Sequence, residues 1–157
     1  MKRLLFTITI FLCSLNVLFA SQLVAANLST GSTIFVPAHR GFYQFHGSTR
    51  DSYPLTSTVH LYNIDPKQTI ELISIDFFDP SGNLLKNLIL GPLLIKPLNS
   101  TEITLEPRMK PEDCGGHIIV RWKSDKPANT PVVEVLMVGH VFNRVVSFLT
   151  RGCEIKE

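Results

Sequence analysis

The sequence predicts an all-β chain, a single-domain antiparallel β-sandwich of immunoglobulin-like character with about eight or nine strands. Three observations predict it. Over residues 55–61, Leu55, Val59 and Leu61 share one parity while Thr56, Thr58 and His60 share the other, the period of a strand with one buried face. Turn clusters recur roughly every 8–12 residues, as in a sandwich, among them Asn63-Ile64-Asp65-Pro66 and Asp79-Pro80-Ser81-Gly82-Asn83. In both, proline and the Asx side chains favour chain reversal. No ten-residue stretch carries a helical period, and there is no internal repeat or low-complexity tract.

The N-terminus stands apart from this pattern. Lys2 and Arg3 precede an apolar run from Leu4 to Ala20, and small residues follow, the order of a secretory signal peptide. Val24-Ala25-Ala26 places small residues at the −3 and −1 positions, so cleavage is expected after Ala26, with Ala20 the second choice. The division is then a signal peptide over 1–26 and a β-sandwich domain over 27–157. The rival is an uncleaved anchor, for which about 17 apolar residues would barely span a bilayer. Cys13 follows Phe11-Leu12 rather than small residues, which argues against lipidation there.

Along the domain, residues 27–32 are polar and expected to fray, and 33–36 form a short strand stopped by Pro37. Residues 40–53 mix Gly41, Gly47 and Ser48 with Phe42, Tyr43 and Phe45, a short strand followed by a loop. Three runs, 55–62, 70–78 and 84–90, then read as an antiparallel meander. Gly91-Pro92 and Pro97-Leu98-Asn99 bracket a brief run, and 101–105 alternates cleanly. Residues 106–116, with two prolines and a Gly-Gly pair, form the longest loop. In 117–124, Ile118, Val120 and Trp122 face inward, and Trp122 is the natural core anchor between sheets. Val132–Val141 is apolar on both parities, which fits a central or doubly covered strand. Residues 145–149 form the last strand.

Charge and cysteine narrow the function classes. Lys2 and Arg3 account for the formal charge of +2, so the mature chain has thirteen basic and thirteen acidic residues. That balance argues against nucleic acid or an anionic membrane surface as partner. The membrane would be met only through the signal segment, if uncleaved. Cys13 leaves with that segment, and Cys114 and Cys153 remain as an even pair in an exported chain. A Cys114–Cys153 disulfide closing about 40 residues would be worth roughly 4 kcal/mol on the chain-entropy model. The alternative is two thiols buried as small hydrophobes.

Catalytic chemistry is not written locally. His39, His46, His60, His117 and His140 form no H-x-H or H-E-x-x-H pair, and close spacing is the strong sequence signal for zinc. His60, on the polar face of its strand, and His117, at a strand start, remain binding candidates beside the plainer reading of solvated histidines. Asp76 and Asp79 flank a turn, where aspartate normally bonds backbone amides. There is no G-x-S-x-G elbow and no P-loop, and no cofactor is implied. Asn27-Leu28-Ser29 and Asn99-Ser100-Thr101 match the glycosylation sequon, which matters only on a eukaryotic secretory route. Glu134 lies among Val132, Val133, Val135 and Leu136, a costly place for a charge without a partner. Arg151, just past the last strand, is its expected partner within hydrogen-bonding reach, as a structural ion pair or as part of a ligand site.

The chain resembles the bacterial exported proteins grouped as domain-of-unknown-function family 3124, from about Ile34 to Ile155. The resemblance is carried by Phe35-Val36-Pro37, the Asn63-Ile64-Asp65 turn and Ser74-Ile75-Asp76-Phe77-Phe78-Asp79 with Gly82. Val120-Arg121-Trp122, Pro131-Val132-Val133-Glu134 with Met137 and Gly139, and Ser147-Phe148 with Arg151-Gly152 complete it. Cys114 and Cys153 are not part of that pattern. The resemblance implies a small exported β-domain and assigns no activity.

Together these readings lead to an exported periplasmic or secreted protein, a non-enzymatic module that binds an envelope protein or a glycan. The alternative is a periplasmic copper or zinc protein using histidines brought together by folding, with Met109 or Met137 as further ligands.

Overall fold

The structure, a computed structural model, describes residues 28–105 and 115–156. The expected signal segment, Met109 and Cys114 lie outside the described residues. Eleven strands and no helix are found among those described. They form two sheets in which every paired neighbour is antiparallel. In sheet 1, β1 (Ser29–Pro37) pairs with β8 (His117–Ala128), which pairs with β4 (Ile70–Phe78). Two short strands, β5 (Leu84–Asn87) and β6 (Leu93–Ile95), share the far side of β4, and β11 (Cys153–Ile155) flanks β1. In sheet 2, β10 (Arg144–Arg151), β9 (Val132–Val141), β3 (Thr49–Tyr62) and β2 (Gly41–His46) follow one another, with β7 (Ser100–Leu105) also on β3.

The period-two patterns decide what lies between the sheets. From sheet 2 come Leu55, Val59 and Leu61 of β3 and Val133, Val135 and Met137 of β9; from sheet 1 come Ile118, Val120 and Trp122 of β8. Trp122 is buried as expected, and its indole N–H donates to Ser32 Oγ at 2.9 Å, which satisfies the polar atom that the ring carries inside. Ser57 sits in the same buried row and donates to the His39 carbonyl at 2.6 Å. In β4 the register shifts between Leu72 and Ser74. Such a bulge changes which parity faces inward, so Ile70 and Leu72 are followed in the core by Ile75 and Phe77 while Ile73 is exposed.

The strand count exceeds the expected eight or nine because the brief run over 93–95 pairs as a strand of its own and the tail adds β11. The meander over 55–62, 70–78 and 84–90 is not formed. Only β4 and β5 make a hairpin; β3 lies in the opposite sheet. Turn chemistry marks a reversal but not whether the next strand joins the same sheet. Here β8 beside β4 and β9 beside β3 come from 39 or more residues away in sequence. Two further differences are local. β1 begins at Ser29, within the stretch expected to fray, and β3 begins at Thr49, so most of the loop expected over 40–53 is a hairpin.

The chain passes between sheets at both lateral edges, as strands at sandwich corners do. One passage is the turn at 96–99 between β6 and β7. The other is Gly152, between β10 and β11, whose N–H donates to the Val133 carbonyl at 2.8 Å. A Cβ there would lie 2.6 Å from Ile34 Cγ2 and 2.9 Å from Val36 Cγ2, so this corner requires glycine to let β10 cross against the core.

One end of the sandwich is tied by a buried polar knot. Asn63, 1% exposed, donates from Nδ2 to the carbonyls of Gln68, Ile95 and Lys96 at 2.8, 3.0 and 3.1 Å. Its Oδ1 accepts from the Asp65 amide at 3.0 Å. Asp65 Oδ1 accepts from the amides of Lys67 and Gln68, and Oδ2 from the amide and side chain of Asn129. Two residues thus fasten the β3–β4 turn to the β6–β7 and β8–β9 turns. The Asn129 amide, followed by those of Lys67 and Gln68, lowers the Asp65 carboxyl pKa from 3.8 to about 2. A carboxylate whose folded pKa is depressed stabilises fully above its unfolded pKa and stops doing so as pH falls through the folded one. Stability should therefore decline as pH drops from about 4 toward 2. Asp65→Asn should be less stable at neutral pH and show a shallower decline in that window, read by thermal unfolding across pH. An unchanged slope would assign the decline to other carboxylates, Asp79 among them.

Asp79 and Asp76 divide as the chain demands. Asp79 Oδ1 accepts from the amides of Ser81 and Asn83 in the β4–β5 turn, at 2.9 and 2.8 Å. The Asn83 side chain and amide lower its pKa. Asp76 instead lies within β4, nearly buried, and accepts from Arg121 Nη1 at 2.8 Å and Ser74 Oγ at 2.9 Å.

Candidate functional site

Three of the four binding candidates from the sequence fall into one row on the outer face of sheet 2. Arg151 of β10 stands opposite Glu134 of β9, Glu134 opposite His60 of β3, and His60 opposite Glu102 of β7. Arg151 Nε lies 3.9 Å from Glu134 Oε1, and His60 Nδ1 lies 3.7 Å from Glu102 Oε2. The Arg151–Glu134 pairing is therefore found, but beyond hydrogen-bonding distance. Its burial is not found: the side chains are 67% and 26% exposed. The period of two explains why, since it turns Val132, Glu134 and Leu136 outward onto a face that no layer covers among the described residues. An exposed pair contributes up to about 1 kcal/mol, so Glu134→Gln and Arg151→Met should each change unfolding free energy by no more than that. A loss of several kcal/mol in either would restore the buried reading.

His117 is elsewhere. It lies on sheet 1 with its ring stacked between Phe35 and Phe78, centroids 5.0 and 5.2 Å away. The histidine candidates are thus on different sheets. Among the described residues no group of three or more His, Cys, Asp or Glu is placed to hold a metal. Cys153 is exposed on β11, and its expected bridge to Cys114 depends on a residue outside those described.

One concavity on the described surface was not singled out as a site by the sequence. β1 ends at Pro37, β8 begins at His117 and β4 ends at Phe78, which closes sheet 1 at that end. His39 and Arg40 then carry the chain across to sheet 2. The His39 amide lies 3.2 Å from Met137 Sδ, and the Leu55 amide donates to the Arg40 carbonyl. Beyond this crossing, the β2–β3 and β9–β10 hairpins continue with no opposing strand among the described residues. Their inward row is fixed by register: Phe42 opposite Tyr53, Gln44 opposite Asp51, Arg144 opposite Val141, and Phe148 opposite Met137. Between the hairpins lies an open groove of about 660 Å³ walled by Phe42, Gln44, Val141, Phe142, Arg144 and Phe148.

The groove is held by aromatic contacts. Phe42 and Phe148, from the two edge strands of the sheet, meet edge to face at 5.8 Å between centroids. Phe42 stacks on Tyr53 at 5.4 Å, and Tyr53 meets Phe142 at 6.2 Å. Phe142 opens the two-residue turn between β9 and β10 with φ of 52° and is 77% exposed. Glycine or asparagine is usual at a positive φ, and a bulky side chain held there stores strain. The turn thus holds a large apolar ring in solvent at the rim of an apolar groove. The signal in the sequence was the density of Phe42, Tyr43, Phe45 and Tyr53 around a Gly-Ser tip, which reads as a loop until β3 is seen to start at Thr49.

The fold defines an all-β domain of two antiparallel sheets, sandwich-like. The chain belongs to the family described as protein of unknown function (DUF3124), whose model matches residues 31–155. No curated protein matches the chain. The crystal structure of Thermotoga maritima 1070 is similar over 78% of this chain and 92% of that one, with 15% sequence identity and a TM-score of 0.47. The residues that carry the family resemblance have structural positions: Asn63 and Asp65 in the knot, Asp76 on Arg121, Trp122 in the core, and Gly152 at the corner.

Proposed function

We propose that this protein is an exported, non-enzymatic binding module of the cell envelope, and that the groove between β2 and the β9–β10 hairpin is its ligand seat. The observation that carries the reading is the inward face of sheet 2, which runs past sheet 1 and whose aromatic row, among the described residues, has no strand of sheet 1 over it. An open, largely apolar concavity with a few polar groups at its rim is where ligands bind, and Gln44, Asn143 and Arg144 supply that rim. Phenylalanine walls with few hydroxyl-bonding groups favour an apolar segment of an envelope protein over a glycan. Export rests on the N-terminal Lys2-Arg3 and apolar run of the sequence. The metal-binding alternative finds no support in the separate placement of His60 and His117.

The test is an NMR titration of isotope-labelled protein with unstructured apolar peptides and, separately, with envelope oligosaccharides. The reading expects peptide-induced shifts confined to residues 42–44 and 141–148, lost in Phe42→Ala. Shifts confined to the Arg151–Glu134–His60 row would move the site to the outer face. Saturable binding of oligosaccharide alone would change the ligand class.

A further inference from the structure

We infer that the free edge of β10 is a self-pairing surface, and that two copies of this chain join there into one continuous sheet. This goes beyond the ligand seat. Among the described residues β10 pairs with β9 alone and stands at the end of the sheet 2 order, and at its C-terminal end Thr150 Oγ1 donates to the Pro37 carbonyl of β1 at 2.6 Å. It is eight residues long and carries no charge between Arg144 and Arg151. Val145 and Leu149 are 65% and 63% exposed. Long, uncharged, apolar edges are templates for another strand, and folded proteins normally shorten or charge them. Most other edges show such measures: β5, β6 and β11 span four, three and three residues and β7 carries Glu102, while β2, at the opposite end of sheet 2, spans six residues with no Lys, Arg, Asp or Glu.

The sequence of β10 suits a second copy of itself. In an antiparallel pairing centred on Ser147, Val145 meets the partner copy's Leu149 on the outer face, and Val146 meets the partner copy's Phe148 on the inner face. Arg144 falls opposite the partner copy's Thr150, so the two arginines of one strand never face those of the other. Every directly opposed pair is thus apolar with apolar or polar with polar, and like charges are kept apart, which is what cross-strand pairing favours. An interface in which the same patch meets itself closes as a two-fold dimer. Because Val146 and Phe148 also wall the groove, each copy contributes a side chain to the other's groove, and the two grooves run together across the axis.

Sedimentation velocity of the full chain over a hundredfold concentration range should show a dimer that the Val145→Lys/Leu149→Lys variant converts to monomer, with an unfolding midpoint matching that of the wild type diluted to monomer. Oxidation of Ser147→Cys should give a covalent dimer, since position 147 faces itself across the axis. Val145→Cys should give no more than the native cysteines do. A monomer at every concentration, a dimer that survives the double lysine variant, or equal crosslinking at 145 and 147 would overturn the proposal.

Discussion

In urea denaturation, Asn63→Ala is expected to unfold with a free energy lower by about 3 kcal/mol, the m-value being unchanged. Asn63 contributes little apolar packing, so the effect comes from its polar bonds. The side chain donates to three carbonyls and accepts from one amide, nearly all out of water. Alanine leaves those partners in place without it. A buried group left unpaired costs roughly 1–3 kcal/mol, and a hydrogen bond between neutral groups contributes about 1 kcal/mol net. The knot also joins three turns, so its loss should speed amide exchange at 96–99 and around Asn129 together. A loss under about 1 kcal/mol would mean that water replaces the side chain, and that the knot does not hold the end of the sandwich.

Trp122→Ala is expected to cost about 3–5 kcal/mol, the range for removing a large buried aromatic. The ring is the largest fully buried side chain in the core, between Ser32 of β1 and Leu72 of β4 in its own sheet. Two further variants separate its contributions. Ser32→Ala keeps the ring but leaves the indole N–H unpaired, at a cost of roughly 1–3 kcal/mol. Trp122→Phe keeps an aromatic ring without that donor and should fall between wild type and Trp122→Ala. If Ser32→Ala were neutral while Trp122→Phe were as damaging as alanine, shape rather than the hydrogen bond would set the cost.

The architecture was legible where one residue type has one consequence. Alternation over 55–61 and in β8 gave the buried faces, and Asp79 marked a turn that it does cap. What was not legible depends on contacts between distant segments. The meander failed because the partners of β3 and β4 are supplied by β9 and β8, which no local turn encodes. The outward placing of Glu134 was not legible because apolar residues on both parities of β9 hide which face meets water. That face became visible only once β9 was placed in a two-layer fold with sheet 1 on one side. The groove escaped for a related reason. Phe42 and Phe148 lie more than a hundred residues apart, and the sequence does not say that sheet 1 stops at Pro37 and Phe78 while sheet 2 continues. The row of Arg151, Glu134 and His60 did come together as one surface, though as an exposed ladder rather than a buried pair.

The account stands most directly on which face of sheet 2 meets a partner. A photo-crosslinking residue placed at Gln44 in the groove, and in a second strain at Glu102 on the outer face, compares the two in cells that export the protein. Because self-pairing of β10 would bring a second copy to the same groove, the mass of the adduct separates a second copy of this chain from another polypeptide. The account predicts a discrete adduct with another polypeptide from position 44 and none from position 102. An adduct from position 102 with none from position 44 would contradict it and assign binding to the charged row.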